Sequence, residues 1–186
     1  MVTACHLYFQ SELGKIRQSQ TPNQVDMSTF ENSAPTALGG LKVLEISSMV
    51  SAPFCYKLLA SLGADVIKIE PPKTGDPSRR RGPFPDDVPH PERSGMFLYL
   101  NTGKKSITLN LDDKQGRVIL SELTTKVDVL VHDLPPSRAT ELGIGQSQLA
   151  KERPNLIIAA ITPYGSTGPY SEYRANDVNV FHAGGE

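Results

Sequence analysis

Three groups of side chains in this 186-residue sequence have the types and spacing needed for chemistry. Glu70 ends an apolar segment, at the place where a nucleotide-binding fold carries the acid that holds a ribose. The run "SRRRG" at residues 78–82, with Lys73 upstream, offers cations that can donate hydrogen bonds to phosphate oxygens. Asp177 and His182 supply a carboxylate and an imidazole, groups that enzymes use to move protons.

Each group also has a structural interpretation, and the sequence leaves both open. A dinucleotide site needs a glycine-rich turn after the first strand, whereas residues 47–51 ("SSMVS") contain no glycine. An NAD site is therefore disfavoured, and Glu70 is more simply explained as a loop anchor. A solvated basic loop explains the arginine run. Asp177 is equally explained as a helix-capping carboxylate beside Asn176, and His182 as a structural or surface residue.

The cysteines and histidines show no spacing typical of a metal site. The histidines are His6, His90, His132 and His182. The two cysteines, Cys5 and Cys55, lie far apart in the sequence. Cys55 falls on the apolar side of a predicted helix, which predicts a buried free thiol and a reducing compartment. We therefore expect neither a metal nor a disulfide.

The composition is ordinary for a globular domain, with 38% apolar residues, 21% charged residues and a net charge of -1. A chain of this length has room for one medium-sized domain. No window approaches the roughly 20 apolar residues of a membrane span, and the N-terminus lacks a signal-peptide pattern. The near-neutral charge gives no reason to expect nucleic-acid binding. We therefore predict a cytoplasmic protein that binds neither membranes nor nucleic acid.

Residues 40–72 ("GLKVLEISSMVSAPFCYKLLASLGADVIKIEPP") have the pattern of a strand, a helix and a second strand. The strands are predicted at 42–46 and 65–69, and the helix is predicted to have Ser51 as its N-cap and to end at Gly63. An apolar stripe on this helix is expected to face the core, and its members are Phe54, Cys55, Leu58, Leu59 and Leu62. Such a unit is typical of a right-handed crossover. The predicted fold class is α/β, a Rossmann-like parallel sheet with flanking helices.

The remaining sequence alternates between loops and further elements. Residues 71–92 contain nine prolines and glycines, which predicts a long structured loop. The later predicted elements are extended segments on both sides of residues 101–104, a helix from Asp112 or Asp113 to about residue 126, strands at 127–132 and 155–161, and helices at 146–152 and from near Asn176. Residues 1–39 are polar and lack a period, so we predict a disordered leader there and the folded domain at residues 40–186.

Four stretches, in their order and spacing, resemble the class III CoA-transferases. This family includes carnitine CoA-transferase, bile-acid-inducible protein F, formyl-CoA transferase and the acyl-CoA racemases. The stretches are "GLKVLEISSMVSAPFCYKLLASLGADVIKIEPPKTGDPSR", "FLYLNTGKKSITLNLDDKQGR", "VDVLVHDLPPSRATELGI" and "ITPYGSTGPYSEYRANDVNVFHAGG". The resemblance covers residues 40–185 and implies the N-terminal, incomplete part of the CoA-binding large domain of such an enzyme.

The resemblance implies that coenzyme A, as a substrate, contacts the loops after the strands. In the family the loop after the first strand meets CoA largely through its backbone, so it needs no glycines. Relatives often carry a basic residue where this chain has Pro71, so the resemblance implies that either Lys73 or the Arg79 to Arg81 run supplies the phosphate partner. The expected CoA-contacting residues are Val50, Ser51, Lys73, Leu109, Asn110, Asp112, Asp133, Leu134, Arg174 and Asp177. Two further departures from the family are Asp133-Leu134-Pro135 in place of Asn-Phe or Asn-Phe-Arg, and Glu141 in place of an arginine.

The resemblance also implies the reaction, which is transfer of CoA from an acyl-CoA thioester to a carboxylic acid through an aspartyl-CoA intermediate. The family nucleophile is an aspartate about thirty residues beyond Asp177, so no residue of this sequence is assigned as catalytic. Racemases use a histidine where this chain has Asn176, and because an amide cannot exchange a proton near neutral pH, transfer is favoured over racemisation. Relatives form interlocked homodimers, and we expect the 186 residues alone to be inactive and poorly soluble.

Two other functions stay open at this point. The chain is alternatively a non-catalytic fragment that binds CoA or pairs with a full-length homologue. The second alternative is that the chain is the Rossmann domain of an NAD-dependent oxidoreductase, in which Glu70 would hold the ribose.

Overall fold

The computed structural model describes residues 36–185. Of the predicted leader, only residues 36–39 fall within this range, and the predicted disorder of the others lies outside it. Residues 37–40 form a turn, in which the Leu38 amide donates a hydrogen bond of 3.0 Å to the Leu62 carbonyl. This turn fastens the start of the described chain to the end of the first helix.

Five parallel strands form one sheet in the described residues, in the order β3-β2-β1-β4-β5. The strands are β1 (Lys42–Ile46), β2 (Asp65–Glu70), β3 (Lys105–Thr108), β4 (Val129–His132) and β5 (Ile157–Ala160). The helices are α1 (Ser51–Ser61), α2 (Gly95–Leu100), α3 (Lys114–Thr124), α4 (Pro136–Glu141), α5 (Gln146–Glu152) and α6 (Asp177–Ala183). Within residues 36–185, no helix is long and apolar enough to cross a membrane. The predicted Rossmann-like parallel sheet with flanking helices is confirmed.

The sheet is covered on both faces, because alternate residues of each strand point to opposite sides. On one face Leu44 and Leu130 belong to a buried cluster with Leu120 of α3 and with residues of α4 and α5. On the other face Val43 packs in a second cluster with Tyr56 of α1. A sheet sandwiched in this way is the usual form of an all-parallel sheet.

The prediction of which face of α1 is buried is wrong for four of its five residues, since only Leu59 packs against the core. Phe54, Leu58 and Leu62 are 40–49% exposed, and Cys55 is exposed as well, so the predicted buried thiol is also wrong. The buried face is formed by a different set, Ala52, Pro53 and Tyr56. Both faces repeat apolar residues at the helical period, so the period alone fits either.

Several later helices begin where they were predicted to, and α5 also ends where it was predicted to. α5 spans the predicted residues 146–152. Asp113 is the N-cap of α3 and accepts a hydrogen bond of 3.4 Å from the Gln115 amide. Asn176 is the N-cap of α6 and accepts a hydrogen bond of 3.1 Å from the Asn179 amide. Asx side chains at these positions are reliable sequence signals for the start of a helix.

Three local predictions are wrong or incomplete. Residues 97–100, expected to be extended, belong to α2, which the Ser94 hydroxyl caps by accepting a hydrogen bond of 3.1 Å from the Phe97 amide. Ser51 is the first residue of α1, and Val50 is its N-cap without a capping side-chain hydrogen bond. The sequence did not indicate α4, whose six residues are too few to show a helical period.

Candidate functional site

The loops that follow the five strands meet at one edge of the sheet, because the strands are parallel. The chain leaves β1 toward the face that α1 covers and leaves β4 toward the opposite face. The junction between β1 and β4 is therefore the switch point at which open α/β sheets bind ligands. Ser48 and Asp133 join the two loops across this junction. The Ser48 amide and hydroxyl donate hydrogen bonds of 2.7 and 3.1 Å to the Asp133 carboxylate.

The opening loop, residues 47–51, is held in one shape by charged side chains. Lys68 Nζ donates a hydrogen bond of 2.7 Å to the Ser47 carbonyl. The Met49 amide donates a hydrogen bond of 3.2 Å to the Asp76 carboxylate. Met49 has a φ of 61°, in the left-handed region that costs a residue with a side chain roughly 1–2 kcal/mol. Together with the Ser48 contacts, these bonds fix three consecutive residues of the loop.

Four charged side chains lie beneath the opening loop and form what we call the buried charge cluster: Glu45, Lys68, Asp76 and Lys104. Each of these side chains is at most 1% exposed. Lys68 Nζ lies 3.0 Å from Glu45 Oε1 and 2.9 Å from Asp76 Oδ2, the latter being an ion pair without a directed hydrogen bond. Lys104 Nζ lies 2.7 Å from Glu45 Oε2 and donates a hydrogen bond of 2.8 Å to the Pro53 carbonyl. Two cations and two anions therefore balance inside the fold.

Glu70 is the centre of a second ion-pair group at the end of β2. Arg79 donates hydrogen bonds of 2.7 and 2.8 Å to its two carboxylate oxygens. The Ser106 hydroxyl and the Asp76 amide add bonds of 2.6 and 2.8 Å. Burial alone would raise the pKa of Glu70, but these donors outweigh it and lower the pKa to about 2. The occupied carboxylate supports the loop-anchor interpretation and is not free to hold a ribose.

The buried charges are visible in the alternation of β1 and β2, although of these charges the sequence-based predictions singled out Glu70 and not Glu45 or Lys68. On the face that α1 covers, β1 carries Val43 followed by the charged residue Glu45. On the same face, β2 carries Val66 followed by the charged residues Lys68 and Glu70. Strands of a parallel sheet are buried on both faces, so a charge at such a position needs a buried partner. Glu45 and Lys68 also lie opposite each other in the register of the sheet.

The predicted phosphate-binding cations have different environments. Arg79 is committed to Glu70, and Arg80 donates a hydrogen bond of 2.9 Å to a backbone carbonyl. Lys73 and Arg81 are exposed, and no carboxylate among residues 36–185 pairs with either. Lys73, Arg80 and Arg81 therefore stay open to an anion, Arg80 through the guanidinium nitrogens that do not bond the backbone carbonyl.

The expected contact residues after β3 divide into a core residue and two surface residues. Leu109 packs against the core, and its amide donates a hydrogen bond of 3.1 Å to the Glu70 carbonyl. Asn110 is exposed and accepts a hydrogen bond of 3.1 Å from the Asp112 amide. The Asp112 carboxylate is also exposed and forms an ion pair with Arg138 of α4. The loop after β3 is thus tied to the start of α4.

The expected contact residues after β1 and β4 lie on either side of the switch point. Val50 and Ser51 are exposed at the start of α1. Leu134 is half-buried and packs against the core. Asp133 is half-buried, and burial raises the pKa of its carboxyl while the Ser48 hydrogen bonds act to lower it. The side chain of Asp133 is therefore occupied by the opening loop.

Arg174 and Asp177 lie in a separate part of the described chain. Both are exposed, and Asp177 is the first residue of α6. No hydrogen bond or ion pair within residues 36–185 joins either side chain to the loops after β1 to β4. His182, the sequence candidate for a general base, is exposed beside Phe181 at a ring distance of 6.1 Å. Within residues 36–185, no hydrogen bond or ion pair therefore links these residues to the switch point.

His132, at the end of β4, is a buried polar residue that the sequence-based predictions did not assign to the site. It is 4% exposed, and burial lowers the pKa of its imidazole. Its Nδ1 atom has no hydrogen-bond partner among the described residues. The imidazole lines a cavity of about 360 Å³ between α4, α5 and the loop after β5. No group of three or more metal-binding side chains suited to a metal ion occurs in residues 36–185.

A family model described as CoA-transferase family III matches residues 38–186, which is most of the chain. This chain belongs to CoA-transferase family III. Its relatives include acetyl-CoA:oxalate CoA-transferase of Acetobacter aceti, with 40% identity over 76% of this chain and 35% of that protein. Another is succinyl-CoA:glutarate CoA-transferase of Mus musculus, with 38% identity over 75% of this chain and 31% of that protein. A third is succinyl-CoA–D-citramalate CoA-transferase of Chloroflexus aurantiacus, with 36% identity over 74% of this chain and 33% of that protein.

Solved structures give the same assignment for the fold. A CaiB/BaiF family protein from Brucella suis superposes with a TM-score of 0.71 and 33% identity, covering 81% of this chain and 39% of that one. A hypothetical protein from Mycobacterium tuberculosis superposes with a TM-score of 0.71 and 32% identity, covering 82% of this chain and 41% of that one. The family III chain described here thus spans about a third of its curated relatives' length.

Proposed function

We propose that this family III chain is the CoA-binding part of an enzyme that transfers coenzyme A from an acyl-CoA thioester to a carboxylic acid. The observation that carries the proposal is the family match over residues 38–186. It is supported by the parallel sheet, in which the opening loop lies at the switch point between β1 and β4. The engaged carboxylate of Glu70 argues against the NAD-dependent alternative, because a ribose would have to displace Arg79.

CoA would lie across the loops at the carboxyl edge of the sheet. The rigid opening loop presents the backbone of Val50 and Ser51, and both residues are exposed. Lys73 and Arg81 are exposed cations with no described carboxylate partner, so the phosphates of CoA would be placed near them. Asn110 and Asp112 would contact the ligand from the loop after β3. In this arrangement Asp133 would contribute to CoA binding by holding Ser48 in place, because its carboxylate already accepts hydrogen bonds from the Ser48 amide and hydroxyl.

The proposed reaction passes through an aspartyl-CoA intermediate. An aspartate oxygen would attack the thioester carbonyl carbon, the carbon–sulfur bond would break, and CoA would leave as a thiolate with an aspartyl anhydride remaining. The thiolate would attack the aspartyl carbonyl and release the donor carboxylate, and the acceptor carboxylate would then reverse these two steps. We assign no nucleophile among residues 36–185. The carboxylates of Glu45, Glu70 and Asp76 are unsuited because they are buried and paired with cations.

We further propose that the acceptor is a dicarboxylic acid. The support is that oxalate, glutarate and D-citramalate, the acids in the names of the three relatives above, are all dicarboxylic acids. The family resemblance also suggests an interlocked homodimer. The exposed apolar side chains of Phe54, Leu58 and Leu62 are consistent with a covered surface in such an assembly.

The test of CoA binding is isothermal titration calorimetry of the 186-residue protein with CoA and, separately, with NAD. We expect CoA to bind and NAD not to bind. Lys73→Ala is expected to weaken CoA affinity several-fold and to reduce its salt dependence, because a cation near phosphate would be lost. Lys151→Ala, which removes an exposed lysine on α5, is the matched control and is expected to leave affinity unchanged. Binding of NAD without binding of CoA would contradict the proposal.

A further inference from the structure

We propose that Asp76 is a positioning residue for coenzyme A, which fixes the shape of the opening loop and is not itself a ligand. This inference rests on the proposed function, in which CoA contacts the backbone of Val50 and Ser51. Asp76 lies in the proline-rich loop after β2, and its side chain is 0% exposed. Neither the family resemblance nor the sequence patterns assign a role to Asp76.

Asp76 is the side chain at which the opening loop, the proline-rich loop and both ion-pair groups meet. Its Oδ1 atom accepts hydrogen bonds of 3.2 Å from the Met49 amide and 2.8 Å from the Ser78 amide. Its Oδ2 atom lies 2.9 Å from Lys68 Nζ, and its own amide donates a hydrogen bond of 2.8 Å to Glu70. Oδ1 therefore sets backbone geometry, whereas Oδ2 balances charge.

The bond to Met49 matters because Met49 occupies an unfavourable backbone conformation. Its φ of 61° lies in the left-handed region, and a residue with a side chain persists there only when the surroundings hold it. Without the Asp76 acceptor, the Met49 amide loses its partner and the backbone is free to leave this region. Val50 and Ser51 follow directly in the chain, so the surface offered to CoA would change with it.

Two substitutions at Asp76 separate its geometric role from its charge. Asp76→Asn retains an oxygen that can accept from Met49 and Ser78 but removes the negative charge beside Lys68. Asp76→Ala removes both. Both variants lose the ion pair with Lys68, so we expect both to be less stable than the native protein. Any difference in loop exchange or CoA affinity between the two variants then measures the effect of the hydrogen bonds from Met49 and Ser78. Asp113→Ala, which removes an exposed N-cap at the same edge of the sheet, is the control for a lost capping carboxylate.

The first measurement is amide hydrogen exchange of residues 47–51 without ligand, compared with β4 as an internal reference. We expect exchange in this loop to be at least tenfold faster in Asp76→Ala than in the native protein. In Asp76→Asn and Asp113→Ala it should stay within about threefold, since both keep an acceptor for the Met49 amide. Equal acceleration in Asp76→Ala and Asp76→Asn would overturn the inference. If Asp76→Ala does not fold, exchange in Asp76→Asn alone tests the inference. Fast exchange of the Met49 amide in Asp76→Asn would then overturn the inference.

The second measurement is the dissociation constant for CoA by calorimetry on the same proteins. Asp76→Ala is expected to weaken binding at least tenfold, with Asp76→Asn restoring it to within about threefold of the native value. A loosened loop with unchanged CoA affinity would overturn the positioning role while leaving the proposed function intact. A native protein that does not bind CoA would overturn the proposed function, and the positioning role for CoA with it, even if exchange shows that Asp76 holds the loop.

Discussion

The two halves of the carboxyl edge of the sheet are held together by different kinds of ion pair. On the β1–β2 side, the buried charge cluster has four side chains that are at most 1% exposed. On the β4 side, Arg138 of α4 pairs with Glu141 and with Asp112 from the loop after β3, and these side chains are 30–80% exposed. Buried pairs are barely screened by salt and leave a costly charge behind when broken, whereas exposed pairs contribute little. The opening loop is therefore a preformed surface, while the β4 side keeps its charges accessible to solvent and ligands.

This difference assigns separate tasks to the two halves. A preformed loop lowers the entropy cost of binding a flexible ligand, because the loop is already ordered before the ligand arrives. Exposed charges can exchange an internal partner for a ligand group at small cost. The contrast between the halves predicts a graded set of effects when individual charges are removed.

The largest effect is expected for Glu45→Ala, which breaks the buried charge cluster. The substitution leaves Lys104 without a carboxylate partner and Lys68 with Asp76 alone. Removing one member of a buried ion pair typically costs about 3–5 kcal/mol of unfolding free energy. Urea unfolding of the native and variant proteins measures this loss.

Asp65→Ala is the matched control, since Asp65 forms a 2.7 Å ion pair with Lys105 at the amino ends of β2 and β3. Its side chain is 45% exposed, so we expect a loss of at most about 1 kcal/mol. Similar losses in Glu45→Ala and Asp65→Ala would contradict the distinction between buried and exposed pairs.

A second, smaller effect is expected from the Glu70 carboxylate as a function of pH. Its pKa of about 2 lies below the ordinary value of 4.5, so its stabilising contribution is present above pH 4.5 and is lost as pH falls toward 2. The shift corresponds to about 3 kcal/mol. The difference in unfolding free energy between the native protein and Glu70→Gln should therefore shrink by about that amount between pH 5 and pH 2. A difference independent of pH over this window would show that Glu70 is not held as an anion.

The smallest effect is expected for Asp112→Asn, which removes an exposed partner of Arg138. The side chain of Asp112 is 80% exposed, so the loss of stability should stay below about 1 kcal/mol and should vanish in high salt. Urea midpoints at low and high ionic strength provide the measurement. A large, salt-independent loss would mean that the β4 side is as rigidly built as the β1–β2 side.

The sequence predicts the sheet better than it predicts the helix faces. β1 and β2 were correctly located because both segments have the length of a strand and are flanked by glycine or proline, at Gly39-Gly40, Gly63 and Pro71. The face of α1 was wrong because Phe54 and Leu58 form one apolar stripe and Ala52 and Tyr56 form another at the same period. Only the packing of a helix on its sheet decides between such stripes.

The candidate site shows a similar limit. The opening loop could be recognised from its family resemblance, but the residues that hold it are Lys68, Asp76 and Asp133, which lie 21 to 85 residues away in the chain. Contacts over such distances depend on strand order and register, which single-sequence patterns do not specify. The charged residues in β1 and β2 were the available signal, because a charge in a strand buried on both faces requires a partner.

The central claim is that coenzyme A binds at the carboxyl edge of the sheet, against the preformed opening loop. Amide hydrogen exchange of the 186-residue protein with and without CoA tests this most directly. We predict that CoA slows exchange at residues 47–51 and in the loops after β2 and β3, with no change at the opposite edge, in residues 101–104 and 125–128. Protection confined to the opposite edge, or no protection at a CoA concentration that saturates binding, would contradict the claim.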